Sequence, residues 1–323
     1  MFIEMQDLEL MVSVRCATYN HVNYIRQCLD GFVMQKTDFR FEVIVHDDAS
    51  TDGTTDVVRE YAAKYPGIIK PMYEETNQFS VDVRAMNERI NSRLTGKYIA
   101  ICEGDDYWID PLKLQKQVDF LEQNSDYSMC FHRAKVEKDL IGMDYLKCND
   151  IEDREYNPNE LLIQWKVPTA SIVSRREVYE VRRKGAERIL NGDLIFVLSS
   201  AKIGRIRGMS DVMSVYRVQA KGITYDSKYV EERIMRYPDH FRFIKDNYPF
   251  IDKRIIDRKI ALAYLNRRKI QKCTINRISD YMWAMYFYPN GIIRKLLGHK
   301  FGSTSKAYAD SLSVYGINDW GRC

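Results

Sequence analysis

Apolar and polar positions alternate along the first hundred or so residues in two rhythms. Residues 10–16 are apolar and rich in β-branched side chains, which predicts a strand. The polar turn Ala17-Thr18-Tyr19-Asn20-His21 follows, and Val22, Ile25, Leu29, Phe32 and Val33 then fall at helical spacing within residues 22–35. Residues 41–46 predict a second strand, ending at Asp47-Asp48-Ala49-Ser50-Thr51-Asp52-Gly53-Thr54. A helix over 55–65 is closed by Pro66-Gly67. A strand over 68–73, a helix over 80–95 and a strand over 97–102 continue the alternation. This rhythm implies an α/β fold, a mostly parallel sheet with right-handed crossovers and helices on both faces. The polar turns after the first, second and fourth strands then share one edge, where residues 18–20, 47–48 and 103–106 converge.

Downstream the pattern predicts a helix over 111–123, a strand or strand pair over 127–136 and a polar loop over 139–159. It then predicts a turn and strand over 168–174 and a charged helix over 175–190. Asn191-Gly192-Asp193 breaks the pattern before an apolar helix over 194–201, and 206–217 holds one or two short strands. Gln219-Ala220-Lys221-Gly222 is a loop, and 229–297 reads as several helices with no Gly before Gly291. Two regions result, an α/β domain over 1–225 and a helical extension over 226–323.

Charge sharpens this division. The net charge is +4, but residues 1–225 carry 30 Lys and Arg against 35 Asp and Glu, a net of −5, and residues 226–323 carry 19 against 10, a net of +9. The acidic part suits metal chemistry and the basic part an anionic surface, with no nucleic-acid partner expected. Seven cysteines show no C-x-x-C pairing, which points to core thiols in a reducing compartment. The first residues include Glu4, Asp7 and Glu9 and form no signal peptide. No apolar run approaches membrane-span length, so a cytoplasmic location is expected.

The most telling stretch is Ile101-Cys102-Glu103-Gly104-Asp105-Asp106-Tyr107-Trp108. A buried strand stops at three acids in four residues, and such carboxylates repel unless a cation or solvent relieves them. A solvated acidic turn is the alternative. At the second strand end Asp48 suits a nucleobase N–H, or else the cluster merely caps a helix. Thr18, Tyr19 and Asn20 offer a hydroxyl, a stacking ring and an amide, or form an ordinary turn. Neither G-x-G-x-x-G nor G-x-x-x-x-G-K-S/T occurs, which counts against a dinucleotide enzyme or a P-loop NTPase.

Three ordered segments, residues 12–20 (Val-Ser-Val-Arg-Cys-Ala-Thr-Tyr-Asn), 47–54 and 102–108, resemble a family 2 inverting glycosyltransferase with the GT-A fold, over residues 10–220. The resemblance implies a nucleotide-diphosphate sugar donor, a UDP-sugar above all, and Mg²⁺ or Mn²⁺ as cofactor. It places Thr18, Tyr19, Asn20 and Asp48 on the nucleotide, Asp105 on the metal, and Glu103 and Asp106 beside them. Glu103 stands where the family's Asp-x-Asp motif begins with Asp. Asp193, behind Gly192 and before an apolar helix, takes the place of the catalytic base, with a helix cap as the plainer reading. Met213-Ser214-Val215-Tyr216-Arg217 resembles the family's Tyr-Arg segment and offers Arg217 to phosphate. Gln219 fills a slot where homologous segments often carry a His metal ligand. Thr169 and Ser171 fall on the acceptor-side strand, Trp108 is a candidate acceptor wall, and Asn77, Gln78 and Arg84 are further candidates near the donor.

The implied acceptor is a glycan or lipid-linked saccharide in bacterial polysaccharide assembly. A nucleotidyltransferase of similar fold is disfavoured because no Gly-rich basic loop follows the first strand, and a non-catalytic sugar-binding subunit because the acids of all three sites are present. Tyr281-Met282-Trp283-Ala284-Met285-Tyr286-Phe287-Tyr288, flanked by Arg277, Arg294 and Lys295, suits either packing on the catalytic domain or peripheral contact with the inner face of the plasma membrane.

Overall fold

The computed structural model describes residues 9–138, 150–181, 186–219 and 227–296. Eight strands form one sheet in the order β3-β2-β1-β4-β7-β6-β8-β5. β1 (Leu10–Thr18) lies at the centre of a parallel half, paired with β2 (Arg40–Asp47) and β4 (Tyr98–Ile101), and β2 pairs in turn with β3 (Ile69–Tyr73). Their connections are the helices α1 (Ile25–Val33), α2 (Thr54–Lys64) and α3 (Gln78–Asn91), so the alternation predicted for the first hundred residues is observed with small shifts at the ends.

The other half is mixed. β7 (Val173–Arg175) runs antiparallel to both β4 and β6 (Tyr127–Lys138), and β8 (Arg205–Val218) runs parallel to β6. The predicted strand pair over 127–136 is one 12-residue strand, and the short strands of 206–217 are one 14-residue strand. β5 (Tyr107–Trp108) escaped prediction because it is two residues long and exists only by pairing antiparallel with β8. α4 (Lys113–Gln123) packs behind this half.

The charged helix predicted over 175–190 is a correction. The described part holds two short 3-10 turns, Arg176–Glu180 and Ala186–Arg188. Charged residues of good helix propensity filled the stretch, but only Val178 of the first turn is buried, too little apolar surface to fix a long helix. Of the predicted loop over 139–159, residues 139–149 lie outside the described residues, and Pro158 opens a further helix, α5 (Pro158–Ile163), with the Asn157 side chain as its cap.

α6 (Gly192–Ile203) explains how the C-terminal helices attach. Leu194 to Ser200 are all buried, on every side of the helix. Leu194, Ile195 and Leu198 join the core of the C-terminal helices, and Phe196 and Val197 join the core beneath β6 and β8. A helix apolar all round must be buried all round. Its partners are α7 (Ser227–Asn247), α8 (Lys253–Ile270), α9 (Thr274–Phe287) and α10 (Pro289–Leu296).

Candidate active site

The ends of β1, β2 and β4 are hydrogen-bonded into one surface. The Asp48 amide donates to the Thr18 carbonyl (3.0 Å) and the Gly104 amide to the Ala17 carbonyl (2.9 Å). Asn20, at φ 54°, ties the first loop to the second: its side-chain oxygen accepts from the Thr51 amide (2.8 Å), and its own amide donates to Ser50 Oγ (2.9 Å). Gly104 fits only as glycine, since a Cβ there would lie 2.6 Å from Thr18 Oγ1. Tyr19 is exposed on this surface, whereas Thr18 is buried with Oγ1 3.2 Å from His21 Nδ1.

Asp48 is buried and holds the start of α3. Its two oxygens accept from the amides of Gln78 (2.6 Å) and Phe79 (3.0 Å). Asn77 caps the same helix through Ser80 N–H (2.9 Å). Arg84 is exposed and pairs with Glu88.

The acidic loop divides its labour. Glu103 accepts from Arg15 (3.1 Å) and from the Ala17 amide (3.2 Å), so it is tied to β1. Asp106 is buried and accepts from the Arg217 amide (2.8 Å), and burial, with Asp105 beside it, pushes its carboxyl well above the ordinary carboxylate range. Asp105 is only half-buried, and its Oδ2 accepts from Gln219 Nε2 (2.7 Å). Thus Gln219, in the slot where the resemblance suggested a histidine, does touch the candidate metal ligand. Arg217 braces the loop: Nη1 donates to the Asp105 carbonyl (2.7 Å), Nη2 to Gln27, and its guanidinium stands 4.3 Å from the Tyr107 ring centre.

Asp193 stands in the first turn of α6, half-buried, with Oδ1 accepting from the Leu194 amide (2.8 Å). Burial raises its carboxyl above the ordinary value. That amide and the Arg233 charge act the other way, and the Glu103 charge reinforces the rise. The Glu103 charge is the feature of the acidic loop that acts on the carboxyl at the α6 start. The segment leading into α6 is held by α7, where the Leu190 amide donates to His240 Nδ1 (3.2 Å) and Arg188 pairs with Asp246 (3.1 Å). Arg233 of α7 was not foreseen from the sequence. It is one of many arginines there, and nothing in its spacing relates it to residue 193.

Two acceptor-side candidates need correction. Trp108 is 1% exposed, packs edge-on to Phe32 (4.8 Å) and donates Nε1–H to the Ala170 carbonyl (2.9 Å). It belongs to the core, because its strand is clamped between β8 and α1. Ser171 is also buried, its hydroxyl donating to the Pro168 carbonyl (2.6 Å). Thr169, in the same 3-10 turn, keeps partial exposure.

Comparison with known proteins agrees with this architecture. Residues 13–181 match the family described as Glycosyl transferase family 2. An uncharacterized protein of Mycobacterium tuberculosis strain H37Rv is 37% identical over 227 residues, covering 69% of this chain and 62% of the relative. This chain thus spans less than two thirds of the length of those mycobacterial relatives. EpsE of Bacillus subtilis, named as a glycosyltransferase, is 36% identical over 118 residues, 36% of this chain and 41% of its own. Among solved structures, residues 1–349 of S. aureus TarS in complex with UDP-GlcNAc superpose with a TM-score of 0.60 at 17% identity, covering 95% of this chain and 89% of that one. The mannosyltransferase PcManGT of Pyrobaculum calidifontis, in complex with GDP-Man and Mn²⁺, gives 0.50 at 17% identity, covering 98% and 89%. These two likenesses show the GT-A fold.

Proposed function

This chain belongs to glycosyl transferase family 2, and from that premise we propose that it moves a sugar from a nucleotide-diphosphate donor to a hydroxyl of a glycan or lipid-linked saccharide, inverting the sugar carbon. One observation carries the reading. Three strand-end loops are bonded into a single surface, and the Glu103 charge within it acts on the Asp193 carboxyl. In the proposed reaction Asp193 takes the proton of the acceptor hydroxyl. The acceptor oxygen bonds to the sugar carbon from the face opposite the leaving group, and the nucleoside diphosphate departs with the electron pair of the broken bond. A raised carboxyl suits this role, since a base works best when its pKa approaches the working pH.

Tyr19 offers an exposed ring for the base. Asp48 keeps lone pairs beyond the two amides it accepts, enough for a nucleobase N–H. A divalent ion, Mg²⁺ or Mn²⁺, would be held by Asp105. Among the described residues no group of three or more His, Cys, Asp and Glu forms a metal cage, and in the proposed complex donor phosphates would supply further oxygens to the ion. Such an ion supplies positive charge against the diphosphate as it leaves. Arg217, with its guanidinium bound to the Asp105 carbonyl, acts by setting the loop that carries this ligand.

The test is release of UDP or GDP from a panel of nucleotide sugars with an oligosaccharide acceptor. Asp193→Asn is expected to lower transfer by about 10²-fold or more while donor binding persists. Loss of donor binding in that variant would move Asp193 into the donor site and refute its role as base.

A further inference from the structure

α9 packs Tyr281, Met285 and Phe287 against the core but carries other large apolar side chains on the outside. Ile275 is 76% exposed, Ile278 57%, Met282 66% and Tyr286 74%. Their spacings of three, four and four residues place them on one face of the helix, with Trp283 at its margin. The opposite face, buried against α8, holds Ala284 and Asp280, the latter paired with Arg267 at 2.6 Å. The outer stripe is a second apolar face, beyond the one that a surface helix turns to the core. Ile293 of α10 is exposed as well.

The sequence around the stripe is cationic, and the nearby acids Glu231 and Glu232 of α7 share a cleft with Lys272 and Cys273. Residues 250–296 hold 11 Lys and Arg against 3 Asp and Glu, a net of +8. Each of those three acids already has a partner, Asp252 with Arg254, Asp257 with Lys245 and Asp280 with Arg267. Lys272 and Arg277 are exposed beside the stripe. A second copy of this face would bring like charges together, whereas an anionic bilayer offers both a counter-charge and an apolar phase. Trp, Tyr and Ile bordered by Lys and Arg are the residues that settle at such an interface.

We propose that the outer face of α9 docks on an anionic lipid surface, its apolar side chains entering the acyl boundary and its cations engaging the headgroups. Lipid docking by α9 is independent of any role of Asp193, whereas its bearing on the site rests on the proposed function. The link to the site is α7, whose Arg242 lies 4.4 Å from the Trp283 ring centre and whose Arg233 acts on Asp193. Nine residues of helix, about 14 Å, separate those two arginines, so a docked α9 would hold the site close to the lipid surface.

The experiment is co-sedimentation of the full chain with vesicles of phosphatidylcholine alone, or with phosphatidylglycerol as about a third of the lipid. The expected result is binding to the anionic vesicles at least about tenfold tighter than to neutral ones, weakened on raising salt from about 0.1 to about 0.5 M. Met282→Glu with Tyr286→Glu should lower that binding by about tenfold or more without changing nucleotide release in solution. Ile275→Ser with Ile278→Ser, a milder change at exposed positions, should act in the same direction, so misfolding of the first variant does not decide the matter. Equal binding to both vesicle types, or no binding, would overturn the proposal. So would a wild-type dimer in solution that Met282→Glu converts to monomer, which would assign the face to a second copy.

Discussion

Asp193 is a carboxylate whose surroundings disagree about its charge. Burial and Glu103 favour the protonated form, and Arg233 with the Leu194 amide favours the anion. Burial wins, so transfer is expected to rise with pH through an apparent pKa above the ordinary carboxylate range, and Arg233→Ala should move that limb to still higher pH. A pH profile of kcat checks both, and an unmoved limb would separate Arg233 from the base. Lys113 offers a cleaner case. It is wholly buried, its ammonium donates to Gln117 Oε1 (2.8 Å) and stands 4.1 Å from the Trp108 ring centre, and burial lowers it to about 7. Between that value and its unfolded pKa the unfolded chain binds the extra proton, so Lys113 makes stability rise with pH by at most about 1.4 kcal/mol per pH unit. Lys113→Met should therefore stabilise the protein most near pH 7 and progressively less toward pH 10, as denaturant unfolding across that range would show. Chemistry-bearing residue types were legible in the sequence, but their partners were not. Trp108 followed an acidic loop and offered itself as a pocket wall, yet a 2.9 Å bond to Ala170, 62 residues away, makes it core.

At the scale of elements, the β2 loop and α3 form one unit through Asp48. Removing its carboxylate leaves the amides of Gln78 and Phe79 without their acceptor, so Asp48→Ala should cost about 1–2 kcal/mol in urea unfolding and Asp48→Asn less. An Asp48→Ala variant of unchanged stability would show the cap to be dispensable. The first four strands were legible because each is a short apolar run closed by a turn, and parallel strands with helices on both faces read that way. The element written with least clarity was 175–190, where charged side chains of fair helix propensity had no apolar stripe to anchor them. β5 could not be read locally, since two residues become a strand only when Met213, Ser214 and Val215 of β8 lie opposite them.

Over the whole molecule, the charge asymmetry of the sequence corresponds to a spatial division. Five acids, Asp47, Asp48, Glu103, Asp105 and Asp106, stand at the ends of β2 and β4, and the described part of the basic C-terminal region is helical. What the sequence did not disclose is that α6, the helix carrying Asp193, lies between two cores and so connects the sheet to those helices. Its all-round apolar pattern was the available signal, though it marked burial without naming the neighbours. The helix that carries the candidate base is therefore also the one that joins the sheet to the C-terminal helices.

The proposed transfer requires that the joined loops bind a nucleotide sugar through a metal ion on Asp105. Titration calorimetry of UDP- and GDP-sugars, with Mn²⁺ or with EDTA, into the wild type and into Asp105→Ala tests it most directly. One class of donor is expected to bind the wild type at least about tenfold more tightly with Mn²⁺ than with EDTA, and that difference to vanish in Asp105→Ala. Donor binding that needs no metal, or a metal dependence that survives the loss of Asp105, would contradict it.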